Sequence, residues 1–266
     1  MTILLTERAD VNLLIQDLPV KVDEDGRTYL DFDCMHIRVG GGLGAREVVS
    51  NIWPDGRVPY FFDDKVTATN RNRFREAARL WMLRTAVKFV ELQSEPEKGV
   101  DYIHVNNSSE GNWADIGYTR GKQNLKIKHW HMQIVIVHEL GHSLGLIHEH
   151  CRSDRENYVS VIEKNVLKDF KDQFFIFKSV PTLGPYDFSS IMHYDRFAFG
   201  ETEDGKKKQT IVVKDAYAKY AFLCGQRAFM SHLAHWLLRA CMVRTHLRGT
   251  CKLTLGNGRM TNLKKK

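Results

Sequence analysis

His138-Glu139-Leu140-Gly141-His142, carried on through Gly145 to His148 and Glu149, is the stretch on which the reading of this chain turns. On a helix of about 3.6 residues per turn, His138 and His142 are four apart on one face, so both rings reach a single metal ion. Glu139 falls beside them, placed to act on water rather than on the ion. A glycine at position 145 can take the left-handed conformation that ends a helix, and the chain then returns His148 as a third ligand. Three imidazoles leave one tetrahedral position open, and that opening separates a catalytic zinc site from a closed structural one. The run Met132 to Val137 ahead of the motif is apolar enough for a buried helix. A core helix that merely happens to carry histidines is the alternative, and it would bury several polar rings without partners at a cost.

Outside this stretch the composition is that of a globular protein: 266 residues, 43% hydrophobic and 27% charged. Such a length suits one large catalytic domain with a short extension. No apolar run approaches the roughly 18 residues that span a bilayer, so no transmembrane segment is expected. Ile3-Leu4-Leu5 is too short for a signal-peptide core and acidic residues soon follow it. The compartment stays open between the cytoplasm and a non-classical bacterial export route. Cys34, Cys151, Cys224, Cys241 and Cys251 are few and odd in number, which supplies no disulfide framework. The net charge of +7 comes partly from Arg259 and Lys264-Lys265-Lys266. These residues lack interleaved aromatics, so the end of the chain reads as a solvated tail and no specific nucleic-acid partner is expected.

Three segments follow from composition. Residues 1–43 form an N-terminal segment running into the flexible joint Gly40-Gly41-Gly42 with Gly44, residues 44–245 the catalytic domain, and residues 246–266 the basic tail. Within the domain, Ile52 to Gly56 reads as a turn and Val58 to Phe62 as a strand, with Pro59 pointing to a sheet edge. Phe74, Ala77, Ala78, Trp81, Ala86 and Val90 recur at helical spacing, predicting one helix from about Asn70 to Glu91 capped by Asn70 or Thr69. Val100 to Val105 alternates like a half-buried strand. Beyond the histidine motif the chain turns irregular, from Pro181, Gly184 and Pro185 to Tyr186-Asp187-Phe188-Ser189-Ser190-Ile191-Met192-His193-Tyr194. Trp236, Leu237, Ala240 and Cys241 repeat at helical spacing near the end.

The histidine motif, Glu149, the stretch Arg152-Ser153-Asp154-Arg155-Glu156-Asn157-Tyr158-Val159 and the Ser190-Ile191-Met192-His193-Tyr194 turn together resemble the astacin family of metzincin zinc peptidases. Trp53-Pro54 with Val58-Pro59-Tyr60 resembles that family's mature start, and the likeness covers residues 44 to 230. The resemblance implies an α+β fold: a twisted mixed sheet with two long helices above a zinc cleft, then an irregular C-terminal subdomain with a terminal helix. It implies one Zn2+ per chain on His138, His142 and His148, with Glu139 as general base and Tyr194 as an additional ligand that swings away to stabilise the transition state. Met192 would lie in the turn beneath the metal, and His193 is not a ligand in the family. Gly225-Gln226-Arg227 and Ser231 are similar to the family's last helix, although Ala234 stands where an acidic residue is expected.

The implied activity is that of an endopeptidase acting as a monomer on protein or peptide, which would lie extended along an edge strand near Val100 to Val105. A zinc hydrolase of a non-protein substrate and a non-catalytic binding module on the same fold are the rival readings. Family members carry a propeptide aspartate that occupies the open metal position. Here Asp33 is the candidate plug, the thiol of Cys34 a second, and a plain strand with an acidic outer face the third reading. Cleavage near Gly44 would free a new amino terminus for Glu149. The family's usual two disulfides are missing, since Ala86 stands at one cysteine position and Asn106 to Lys128 contains none. That absence resembles a bacterial-type or intracellular member with reduced cysteines.

Overall fold

A computed structural model describes residues 20–22, 27–40, 47–48, 52–178, 182 and 184–231. Most of the glycine joint, the helix expected around 236–241 and the tail 246–266 lie outside the described residues, as do Cys241 and Cys251. The fold is α+β, with one large mixed sheet, two helices on its face and a C-terminal part built from short turns. Among the described residues no helix is long and apolar enough to cross a membrane.

The sheet is assembled from β1 (Val20–Val22), β2 (Thr28–Phe32), β3 (Met35–Gly40), β4 (Glu47–Val48), β5 (Arg57–Phe62), β6 (Lys88–Glu91), β7 (Tyr102–Asn107), β8 (Trp113–Asp115) and β9 (Lys122–Ile127). Their order is β1-β2-β3-β8-β9-β7-β5-β6, with β4 paired to β3. Strands β5, β6, β7 and β9 run parallel, while β8 is antiparallel to β9 and parallel to β3. Parallel strands need both faces covered. Accordingly β7 buries Tyr102, Ile103, His104 and Val105 in succession, rather than alternating in and out.

Two expectations about edges are therefore corrected. Strand β7 lies between β9 and β5, so the segment near Val100 to Val105 is interior and has no free backbone edge to offer a substrate. Pro59 also lies on an interior strand. The register explains why it is tolerated: Pro59 faces Val90 of β6, but pairing of β5 with β7 begins only at Tyr60, past the proline.

Helix α1 (Ala68–Arg84) is capped by Thr67, whose side chain accepts the Asn70 amide at 3.3 Å, so the cap is neither Asn70 nor Thr69. Its buried stripe is Phe74, Ala77, Ala78 and Trp81. The helix stops well short of Glu91. Thr85 is extended and its hydroxyl donates to the Trp81 carbonyl at 2.7 Å, after which the β-branched and aromatic run Val87-Lys88-Phe89-Val90 joins the sheet as β6. Helix α2 (Gln133–Ser143) carries the motif and is buried from Ile136 to Ser143. It packs on α1, where the Trp81 indole donates to the Val137 carbonyl at 3.0 Å. The Trp53 indole donates to the Ser143 carbonyl at 2.8 Å, fixing the other end of α2 to the start of the domain.

The C-terminal part holds the pairs β10 (Val159–Val161) with β13 (Ile211–Val213) and β11 (Thr202–Glu203) with β12 (Lys206–Lys207). A second apolar cluster of Val159, Phe174, Tyr186, Phe188, Tyr194 and Ile211 sits beneath them, separate from the sheet-and-helix core.

Candidate metal centre

Helix α2 ends where its sequence lets it. Gly145 has φ 96°, in the left-handed region open to glycine; its amide donates to the His142 carbonyl at 2.8 Å, and the Leu146 amide to that of Gly141 at 3.0 Å. This turn brings His148 back toward His138 and His142. All three rings are buried, and their Nε2 atoms gather within 4.8 Å of one another. The Nδ1–H of His138 donates to the Ile191 carbonyl and that of His142 to the Leu146 carbonyl, each at 2.7 Å. Those bonds fix the tautomer, so the Nε2 lone pairs face one point. Burial holds all three rings below their ordinary pKa, His142 down to about 3, and keeps them as neutral donors. Three neutral nitrogens directed at one point suit a zinc ion.

Met192 lies against this helix rather than at the metal point. A Cβ added at Gly141 would stand 3.0 Å from the Met192 sulfur and 3.3 Å from the Trp81 ring, so glycine is what lets the turn approach α2 so closely. The Glu149 amide donates to the Met192 carbonyl at 2.9 Å, tying the turn to the residue after the third histidine. Glu139 is buried beside the rings, and its Oε2 has no hydrogen-bond partner among the described residues. Burial, reinforced by Asp33, pushes its carboxyl well above the usual range.

Glu149 stands behind the site. Its Oε1 accepts from Arg152 at 3.1 Å and from the Asp187 amide at 2.8 Å, while Arg152, itself fully buried, also grips Asp154 at 2.7 Å. Burial raises Glu149 to about 7 against the pull of the Arg152 guanidinium. His193 turns away from the metal point and accepts the Tyr186 hydroxyl at 2.7 Å.

The tip of the β2–β3 hairpin meets the open side of this cluster. Cys34 Sγ lies 3.4, 3.2 and 3.4 Å from Nε2 of His138, His142 and His148. Asp33, the first candidate for this position, is not the group that stands there. Its carboxylate accepts the Tyr194 hydroxyl at 2.5 Å. The two residues are adjacent at a tight turn, so their side chains diverge and only the thiol reaches the rings. The Tyr194 ring stacks on His150 at 3.9 Å between centroids.

Several residues here carry no sequence signal at the motif's level. His150 sits beside His148 without motif spacing of its own. Arg227 lines the cleft of about 750 Å³ together with His138, Glu139, Tyr194 and Cys34. It gets there because Gly225, at φ 76°, passes so close to Asp195 that a Cβ would meet its backbone at 2.4 Å. The pair Gly225 and Arg227 was the available clue. His36 is sandwiched between Tyr29 at 4.4 Å and Trp113 at 3.7 Å, holding the hairpin to β8.

The sequence profile of the Astacin peptidase family matches residues 45–240. Zinc metalloproteinase nas-4 of Caenorhabditis elegans is 32% identical over 214 residues, covering 75% of this chain and 66% of that protein. Zinc metalloproteinase nas-14 of the same organism is 33% identical over 233 residues, covering 85% of this chain and 42% of that protein. The chain thus spans less than two thirds of the length of these relatives. High choriolytic enzyme 1, a hatching enzyme zinc-protease from the medaka fish Oryzias latipes, superposes with a TM-score of 0.62 at 27% identity, covering 73% of this chain and 94% of that one. The profile alone takes in most of the sequence, from β4 onward through both helices and the histidine motif, and the chain belongs to the astacin family.

Proposed function

We infer that the chain is a zinc-dependent endopeptidase that hydrolyses peptide bonds in the cleft between α2 and β8. The convergence of three buried, neutral imidazole nitrogens beside an unpartnered buried carboxylate carries this reading. Zinc, when held by His138, His142 and His148, supplies a Lewis acid that makes hydroxide available near neutral pH and polarises a carbonyl.

The chain's own groups do the rest. Glu139 takes the proton of the attacking water on its free Oε2 and returns it to the departing amine. Tyr194 presents a hydroxyl that can donate to the carbonyl oxygen as negative charge develops there, once Asp33 no longer holds it. Strand β8 is the outermost strand of the domain when the N-terminal hairpin is left aside, so its backbone is the edge that an extended peptide would join.

The test is Glu139→Gln, assayed for cleavage of an unstructured protein by material from which the N-terminal segment has been removed. Turnover should fall at least about 100-fold, as expected for loss of a general base, while zinc content stays at one per chain. Unchanged turnover would reject the mechanism, and active protein that contains no zinc would reject the assignment.

A further inference from the structure

The β2–β3 hairpin does more than cover the cleft. It pairs β3 with β8 through Met35↔Ala114 and His36↔Asp115, and the Ala114 and Ile116 amides donate to the Cys34 and His36 carbonyls at 2.9 and 3.0 Å. Its two-residue tip is Asp33-Cys34, with Phe32 opposite Met35. Asp33 sits at φ 56°, a left-handed conformation that costs a non-glycine residue energy and that Asp tolerates better than most. That conformation carries the Cys34 sulfur into the ring cluster.

Hydrogen bonding alone does not account for what the sulfur meets there. A thiol has one proton, yet Sγ stands almost equally close to three Nε2 atoms, at 3.2 to 3.4 Å. Two of those rings spend their Nδ1–H on backbone carbonyls, so their Nε2 atoms present lone pairs. One proton cannot satisfy them, whereas one cation can. Bonds of about 2.0–2.1 Å to nitrogen and 2.3 Å to sulfur at tetrahedral angles put sulfur and nitrogen about 3.5 Å apart, close to the separations observed.

We propose that Cys34 is the fourth zinc ligand of the unprocessed chain, converting the open three-histidine site into a closed site of one thiolate and three imidazoles that the N-terminal hairpin must leave before substrate can enter. The inference rests on the zinc peptidase reading above. On ligation the S–H bond breaks, an S–metal bond forms and the proton passes to solvent; withdrawal of the hairpin reverses this and reopens the position. Neighbouring residues close the other two approaches. Asp33 holds the Tyr194 hydroxyl, and Met35 and His36 fill the β8 edge. The block is therefore a thiolate on the metal, with the acidic side chain acting one position away on the tyrosine.

Cobalt substitution tests this without relying on activity. The full chain, stripped of metal and reloaded with one Co2+ per chain, should show visible ligand-field absorption together with a near-ultraviolet thiolate-to-cobalt charge-transfer band. Cys34→Ala should keep the first and lose the second, while Asp33→Asn should keep both. Cys151 also has its sulfur near His148 and His150, so a band that survives Cys34→Ala would assign the thiolate elsewhere and overturn the proposal. Cobalt bound without any thiolate band in the parent chain would overturn it too, leaving the peptidase reading intact. Failure to bind cobalt or zinc at all would instead remove the peptidase reading. As a second readout, iodoacetamide labelling of Cys34, followed by mass spectrometry, should slow at least tenfold when metal is added; equal rates with and without metal would also reject ligation.

Discussion

The two walls of the cleft are built in opposite ways. Helix α2 is clamped at three points: Trp81 of α1 bonds its backbone, Trp53 holds its end, and Met192 presses on it at a glycine. The facing hairpin of β2 and β3 is held to the domain by a short parallel pairing, one aromatic sandwich, the bond from Arg27 to the Lys122 carbonyl, the contacts of its tip and its own buried Leu30, Met35 and Ile37, which lie outside the sheet-and-helix cluster. A site whose donors are fixed by core packing does not depend on what covers it, and a cover attached at an edge can leave without disturbing the core. This contrast suits the proposal that the hairpin covers a centre already formed beneath it.

The strongest way to break the contrast is inside α2. His142→Ala removes a ring donor whose orientation the core provides, and should weaken zinc binding by more than the roughly 10- to 100-fold typical of losing a supporting partner. Peptide cleavage by processed material should fall to background. Zinc titration against a competing chelator checks the first effect and a peptide digest the second; near-native affinity would mean that the ring is not a ligand. Gly141→Ala comes next. Its Cβ would meet the Met192 sulfur at 3.0 Å and the Trp81 ring at 3.3 Å, so overpacking should cost about 1–3 kcal/mol in urea unfolding.

Acid should loosen the core in a predictable direction. Burial holds His142 down to about 3 and His193 down to about 4, against an ordinary value of 6.5. Between those values the unfolded chain binds protons that the folded chain refuses, so the contribution of these two rings is full above about pH 6.5 and declines as pH falls toward 4, while the buried carboxyls of Glu139 and Glu149, the latter raised to about 7, act in the opposite sense. Each such histidine contributes a slope of up to about 1.4 kcal/mol per pH unit in the metal-free protein. The stability difference between the parent and His193→Gln, measured by urea unfolding from about pH 7.5 to 4.5, isolates one ring, and a difference that does not change with pH would contradict the burial of that ring in its neutral form. The smallest effect belongs to the cover. His36→Ala removes the ring between Tyr29 and Trp113, worth about 0.5–1.5 kcal/mol, and should speed proteolysis within residues 27–40 while leaving the urea midpoint of the domain in place. An equal loss of global stability would show that the hairpin is part of the core after all.

What could be read from the sequence divides along the same line. The placing of His138 and His142 on one face depends only on the helical period, and the return of His148 on a glycine's freedom at position 145, so local rules suffice. The end of α1 did not follow from periodicity, because Ala86 and Val90 happen to continue the helical spacing while Thr85 and the β-branched residues after it leave the helix for the sheet. The position of β7 could not be deduced from alternation: Tyr102 and His104 are buried among neighbouring strands although their polarity suggests an outer face. Which of Asp33 and Cys34 faces the histidines depends on the turn between β2 and β3. Adjacent residues at a hairpin tip point in different directions, and residue type alone does not say which.

The most direct test of the account is anomalous diffraction at the zinc absorption edge from crystals of the zinc-loaded chain. One peak per chain is expected, within bonding distance of Nε2 of His138, His142 and His148. No peak at that point, or a peak seated on His150 and Cys151 instead, would contradict it.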